Sequence, residues 1–261
     1  MTAREGLLRR GGEELGWSPS AATTATRGEA QTTVSELLDS PKTKSPKKKR
    51  MDPDAREAHI VAEAVRFFAE QGFEGKTRDL AKRIGITQPL LYRYFPSKES
   101  LIERVYEEVY VRRWNPAWES LITDREVPLA DRLCRFYKEY SRAVYDYVWV
   151  RMFVYSGLKG VDINDRYLRG ITDKVLRPVC VELRHAQGLP SPDEVPIGEQ
   201  ELELAWGLHG SFFYRAIRRY IYNLTTVADS DAAIENEVKV FLAGVGPVQR
   251  ELVEPRAQRK A

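Results

Sequence analysis

The chain of 261 residues predicts an all-α protein, a small helix-turn-helix unit near the N-terminus followed by a larger helical bundle. Three observations predict it. From Asp54 onward, apolar residues recur at the i, i+3, i+4, i+7 spacing of a helix with one buried face. Between residues 72 and 97, glycines and capping hydroxyl residues cut that pattern into short pieces. After Asn115-Pro116 the pieces lengthen and their apolar stripes widen. A hydrophobic content of 43% supports a full core, whereas 30% charged residues argue against a membrane protein. The most apolar stretch, VYDYVWVRMFVYSGL, is interrupted by Asp146 and Arg151, and a spanning helix wants about 20 apolar residues in a row. The N-terminus lacks the apolar core of a secretory leader, and two cysteines do not make a disulfide scaffold. A cytoplasmic location is the expectation.

The elements follow in order. Residues 1–53 read as a disordered extension, rich in Ser, Thr, Ala, Gly and Pro, with no persistent stripe. Its end, Lys42 to Arg50 (KTKSPKKKR), carries six cations and no acid. It reads most simply as a solubilising tail, with an arm for DNA phosphates or the minor groove and a run resembling a nuclear import signal as the alternatives. Met51 is also a candidate natural start. A first helix runs from about Asp54 to Gln71 on Val61, Ala64, Val65 and Phe68, and Gly72 ends it. Thr77 is expected to cap a short second helix with Leu80, Ala81 and Ile84 inside, stopped by Gly85. Thr87 then caps a third, with Pro89 in its first turn and Leu91 and Phe95 pointing inward. Pro96 closes that helix, and Ser97 caps a fourth that extends towards Arg113.

This second-helix, glycine turn, third-helix arrangement is a helix-turn-helix. It leaves Gln88, Leu90, Arg93 and Tyr94 for solvent on a helix that fits a major groove about 12 Å wide. The electrostatics agree. The net charge of +3 is unevenly spread: residues 76–98 hold six cations against one acid, while the chain after residue 50 is close to neutral. A local basic patch on a neutral body is the footprint of a nucleic-acid reader.

The stretch VRFFAEQGFEGKTRDLAKRIGITQPLLYRYFPSKESLIERV, above all its LYRYFPSKE string, resembles the DNA-binding domain of the tetracycline-repressor (TetR/AcrR) family. The resemblance spans about residues 56–110. It implies phosphate contacts from Tyr92 and Lys98, recognition-helix positions at Gln88, Pro89, Leu90, Arg93 and Tyr94, and a role for Thr77. With Arg78 and Thr87 beside them, these residues form the expected DNA-binding set. Two departures stand out. The loop between Gly72 and Leu80 is one residue shorter than usual, so a tighter loop is expected. Leu90 replaces a small polar residue; it cannot hydrogen-bond a base but can touch a thymine methyl.

The expected organisation is therefore a DNA-binding domain at residues 54–113, an effector-binding and dimerisation domain at 114–247, and a polar tail at 248–261. Leu133, Phe136, Tyr137, Tyr140, Val144 and Val148 mark one long helix. Leu168, Ile171, Val175, Val179 and Leu183 mark another, with a kink expected at Pro178. Leu202, Trp206, His209, Phe213, Ile217 and Tyr220 spill around the next, and Ile234, Val238, Phe241 and Leu242 mark the last, expected to stop at Gly244, Gly246 and Pro247. Helices apolar on two faces need a second cover. The resemblance implies a homodimer through about 199–246, binding a palindromic operator in double-stranded DNA, with repression relieved by a small-molecule effector. Core packing explains most of the aromatics here. Tyr140, Arg151, Phe153, Asn164, Trp206, His209 and Phe213, with Arg215 beside them, are the candidates to line an effector pocket.

An enzyme reading has nothing positive behind it. The three histidines lie at positions 59, 185 and 209 without metal-ligand spacing, and Cys134 and Cys180 sit in apolar helical patterns. No G-x-S-x-G, Walker or dinucleotide motif is present. No cofactor or metal is expected. A nonspecific compaction protein using the basic run alone is the remaining alternative, distinguished by its lack of sequence preference.

Overall fold

The first helix, α1 (Pro53–Gln71), is fixed at its start by Asp52, whose carboxylate accepts from the backbone N–H of Asp54 at 3.1 Å. The coordinates are a computed structural model that describes residues 51–159 and 162–258; the expected extension and its basic run, through residue 50, lie outside the described residues. Helix α1 buries Ile60, Val61, Ala64, Phe67 and Phe68, and Phe73 folds back to place its ring 5.3 Å from Phe68. The loop that follows spans residues 72–76. A Cβ on Gly75 would stand 2.4 Å from a Phe67 ring carbon, so only glycine fits.

Helix α2 (Thr77–Ile84) turns at Gly85, whose φ of 76° is left-handed, into α3 (Gln88–Tyr94). Thr87 caps α3 through the N–H of Leu90 at 3.4 Å. Leu80, Ala81, Leu91 and Phe95 are buried beneath the pair. A reciprocal Ser97–Ser100 capping box starts α4 (Lys98–Tyr106), which continues as a π turn over Glu107–Val111.

The body comprises α5 (Ala117–Thr123), α6 (Leu129–Val144), α7 (Tyr147–Lys159), α8 (Ile163–Ile171), α9 (Arg177–Gln187), α10 (Glu199–Tyr220) and α11 (Ser230–Gln258). Three expectations are corrected here. The stripe through Val148 is not one helix, because the chain breaks at Tyr145–Asp146. The Asp146 carboxylate accepts from the N–H of Trp149 at 2.8 Å and begins α7. Pro178 does not kink a continuous α-helix. A π turn over Thr172–Leu176 absorbs the discontinuity and places the proline in the first turn of α9, where no intrahelical N–H is required.

The third correction concerns the C-terminus. Helix α11 passes through Gly244, Gly246 and Pro247, so residues 248–258 are helical rather than a tail. Long-range packing holds these last turns. Gln249 is fully buried, accepting from Gln187 Nε2 at 2.6 Å and donating to Glu201 Oε1 at 2.9 Å. Val253 packs with Leu189 and Val195. Glu201 in turn pairs with Arg184 at 2.6 Å, with both side chains buried.

Helix α1 packs against α4 and α7. At its end, Arg151 Nε of α7 donates to the Ala69 carbonyl at 2.8 Å, and Lys159 pairs with Glu74 at 2.9 Å. Among the described residues, no helix is long and apolar enough to cross a membrane.

Candidate nucleic-acid interface

The N-terminal unit presents α3 on its surface because Leu91 and Phe95 anchor its inner side in the core. That leaves Thr87, Pro89 and Arg93 exposed, with Gln88 and Leu90 half-buried. Tyr94 is also half-buried and packs against the core, so it is less free than the helical period alone implies. Tyr92 retains 38% exposure.

Thr77 does not cap α2. Lys76 occupies the N-cap position without a side-chain bond, and the Thr77 hydroxyl instead joins the two short helices. It lies 3.0 Å from the Tyr92 hydroxyl and accepts from Gln88 Nε2 at 3.1 Å. This three-residue link sets the orientation of Tyr92 and Gln88 at the solvent edge of α3. Lys98 opens α4, where the helix dipole disfavours a cation unless an anion is near.

The cations of the basic stretch separate into two kinds. Arg83 is engaged with α1, donating to Glu70 at 2.6 Å and lying 3.4 Å from Glu63. That pairing holds the Glu70 carboxyl below its ordinary value. Lys76, Arg78, Lys82, Arg93 and Lys98, by contrast, have no carboxylate partner among the described residues. Arg93 and Tyr94 border a concave surface completed by Met51, Pro53, Arg56 and Leu90. The edge is thus positively charged, unneutralised and shaped around a short helix, which is what a phosphate backbone with an open groove requires.

The candidate effector residues fall in three places. Arg151 belongs to the junction with α1; besides Ala69 it donates to the Tyr155 hydroxyl at 2.7 Å. Arg215 pairs with Glu237. The others lie in or against an aromatic core spanning α4, α6, α7, α8 and α10. Tyr140 is buried, with its hydroxyl 2.5 Å from that of Tyr167. Phe153 stacks on Trp149 at 4.8 Å, and Phe213 packs edge-on to both. Asn164 donates to the Phe153 carbonyl at 3.0 Å. Half-buried Trp206 meets buried His209 edge-on at 5.8 Å. Burial pushes the His209 pKa down to about 4, so the ring is neutral at pH 7. Sequence reasoning did not include Tyr110, Tyr145 and Tyr167 in this set, although their rings join it. The i, i+4 pair Tyr106 and Tyr110, stacked at 5.3 Å, was the available signal.

Residues 60–105 match the family model described as bacterial regulatory proteins, tetR family. No curated protein matches the chain. Among solved structures, a TetR-like transcriptional regulator from Rhodococcus sp. RHA1 is similar, with a TM-score of 0.57 and 17% identity over 75% of this chain and 100% of that one. A tetR-family transcriptional regulator from Streptomyces coelicolor gives 0.51 and 18% over 80% and 89%. A putative TetR-family regulator from Mesorhizobium loti gives 0.50 and 15% over 74% and 98%. At such identities the likeness is one of fold. Residues 60–105 therefore match the tetR family of bacterial regulatory proteins, and the helical body has the fold of TetR-type regulators.

Proposed function

We propose that this protein is a ligand-responsive transcriptional repressor that binds a palindromic operator as a homodimer. The observation that carries the reading is the edge built by α2, α3 and the start of α4, where Arg93, Tyr92 and unpaired lysines surround a short exposed helix. In this reading, α3 enters the major groove. Arg93, Gln88 and Leu90 face base edges, and Arg78, Tyr92 and Lys98 hold phosphates. Repression follows from occupying promoter DNA.

The dimer reading is supported by α11. Val240 is 75% exposed and Val248 44%, and exposed Ala243, Gly244 and Pro247 lie between them on the same helix. An outward stripe of small and apolar residues suits close approach of a second helix. Symmetric half-sites about 34 Å apart, or a multiple of that, are the matching operator geometry.

Selection of bound fragments from genomic DNA, followed by mobility shifts on the recovered site, tests the reading. The expected result is a twofold-symmetric sequence bound ~10³-fold tighter than random DNA at physiological salt. Equal binding to all duplexes would favour a compaction protein instead. Met51, which directly follows the basic run Lys42–Arg50 in sequence, borders the concave surface beside Arg93. Deleting residues 1–50 is predicted to weaken both specific and random binding, and to reduce the salt slope by about 0.9 for each phosphate that the run neutralises. An unchanged slope would remove the run from the interface.

A further inference from the structure

The aromatic core of the body holds an unusual concentration of buried polar atoms that have no protein partner. They are the Tyr110 and Tyr137 hydroxyls, Trp149 Nε1, Asn164 Oδ1 and His209 Nδ1. A partnerless polar atom in a folded core costs about 1–3 kcal/mol, and folded proteins keep few of them. Here they share one cluster. Tyr110 meets Trp149 at 5.5 Å, Trp149 meets Tyr145 at 5.5 Å, Tyr145 meets Tyr140 at 5.4 Å, Tyr140 meets His209 at 5.4 Å, and His209 meets Tyr137 at 5.9 Å. Asn164 is tied to the same cluster through the Phe153 carbonyl. Tyr110, Tyr137, Trp149 and His209 are each at most 4% exposed, so solvent cannot serve them.

Resting on the ligand-responsive reading above, we infer that this aromatic core is the effector site, and that its effector is an uncharged ring compound carrying both a carbonyl and a hydroxyl group. The orphaned atoms dictate both parts. Trp149 Nε1 can only donate, so the ligand must offer an acceptor such as a carbonyl oxygen. Asn164 Oδ1 can only accept, so the ligand must also offer a donor. The hydroxyls of Tyr110 and Tyr137 serve either role. The rings packed around them are flat and apolar, and an aromatic or fused-ring body is their complement.

Charge is excluded by the surroundings. Burial keeps His209 neutral and raises the tyrosine pKa values, so nothing in the cluster ionises near pH 7. The nearby guanidiniums are engaged elsewhere, Arg151 with the Ala69 carbonyl, Arg113 with Asp146 at 2.7 Å and Arg166, which lies over the Tyr106 ring, with Glu103 at 3.0 Å. A carboxylate or ammonium entering this core would lose its hydration without gaining a counter-charge.

The test compares two probes of matched shape, the neutral 4-hydroxyacetophenone and the anionic 4-hydroxybenzoate, against wild type and the variants Tyr137→Phe and Tyr110→Phe. Thermal shift and calorimetric titration report binding, and release from the selected operator fragment reports function. The ketone is expected to raise Tm and release DNA, and the carboxylate to do neither. Each Phe variant is expected to match or exceed wild type in Tm without ligand and to bind the ketone about tenfold more weakly. A hydroxyl with a purely structural partner would instead lower Tm when removed, which overturns the inference. A shift by the carboxylate alone, or by neither probe, also overturns it, while operator binding by the free protein leaves the regulator reading standing. Failure of the wild-type protein to bind any selected DNA would sink the regulator reading itself.

Discussion

Arg83 and Arg93 belong to one basic stretch, yet only Arg93 is available to a base or phosphate. Arg83 is held by Glu70 at 2.6 Å, and Arg93 has no acidic partner among the described residues. Arg93→Ala is predicted to cost ~1–3 kcal/mol of affinity for the selected operator, and Arg83→Ala much less. Fluorescence anisotropy on the two variants decides it; equal losses would mean that bulk charge, rather than placement, governs binding. The cations and the third helix were readable in the sequence. The pairing of Arg83 was not, because Glu63 and Glu70 reach it from another helix. Thr77 shows the same limit. Its position before an apolar run reads as a cap, and only the fold brings Tyr92 and Gln88 to its hydroxyl.

His209 yields a second prediction at this scale. Its pKa falls from the ordinary 6.5 to about 4 in the folded chain because burial disfavours the imidazolium. The unfolded chain therefore takes up the proton first as pH falls. The His209 contribution is fully present above about pH 6.5 and is lost as pH drops towards 4. Between about pH 7 and pH 5, urea unfolding should register a loss of roughly 2 kcal/mol from this residue. His209→Gln should flatten that segment of the pH profile. An identical slope in the variant would show that the ring is solvated.

Among the elements, α11 departs furthest from what its sequence suggests. Gly244, Gly246 and Pro247 carry strong local signals for a stop, and local propensity is all that a single segment reveals. The helix persists to Gln258 because Gln249 donates to the Glu201 carboxylate of α10 and to the Cys180 carbonyl of α9. Similar reasoning explains the break between α6 and α7. The apolar stripe runs smoothly through Val148, but Asp146 caps a new helix, and Arg113 bonds both that carboxylate and the Val144 carbonyl. Glu201→Gln tests the C-terminal network. It strands a guanidinium that is 1% exposed, with an expected cost of ~3–5 kcal/mol in chemical denaturation. Faster amide exchange should follow in the turns around Gln249. A loss below about 1 kcal/mol would mean that Arg184 finds sufficient compensation in the carbonyls of Pro190 and Val195, which it also bonds.

The molecule as a whole poses a problem that one chain does not solve. In the proposed reading, a single seven-residue recognition helix touches few base pairs, so discrimination against a genome would require a second copy at a fixed distance. The exposed stripe of Val240, Ala243, Gly244, Pro247 and Val248 lies on α11, which packs its other side against α6 and α10. A helix already covered on its core side that keeps valines on its outer side suits the proposed pairing with a symmetry mate. The widening of apolar stripes signalled this need in the sequence, but the face in question became definable only once α6 and α10 had claimed the other. Val240→Glu places a charge at a position that is 75% exposed in the single chain. Folding should therefore be unaffected, with an unchanged helical circular dichroism spectrum and Tm. In the proposed dimer the charge would be buried against its symmetric copy, so light scattering should report a monomer at micromolar concentration. Operator affinity should then fall by about a hundredfold or more, because the second half-site is no longer delivered at a high effective concentration. A Val240→Glu protein that remains dimeric and binds as tightly as wild type would place the partner surface elsewhere on the body.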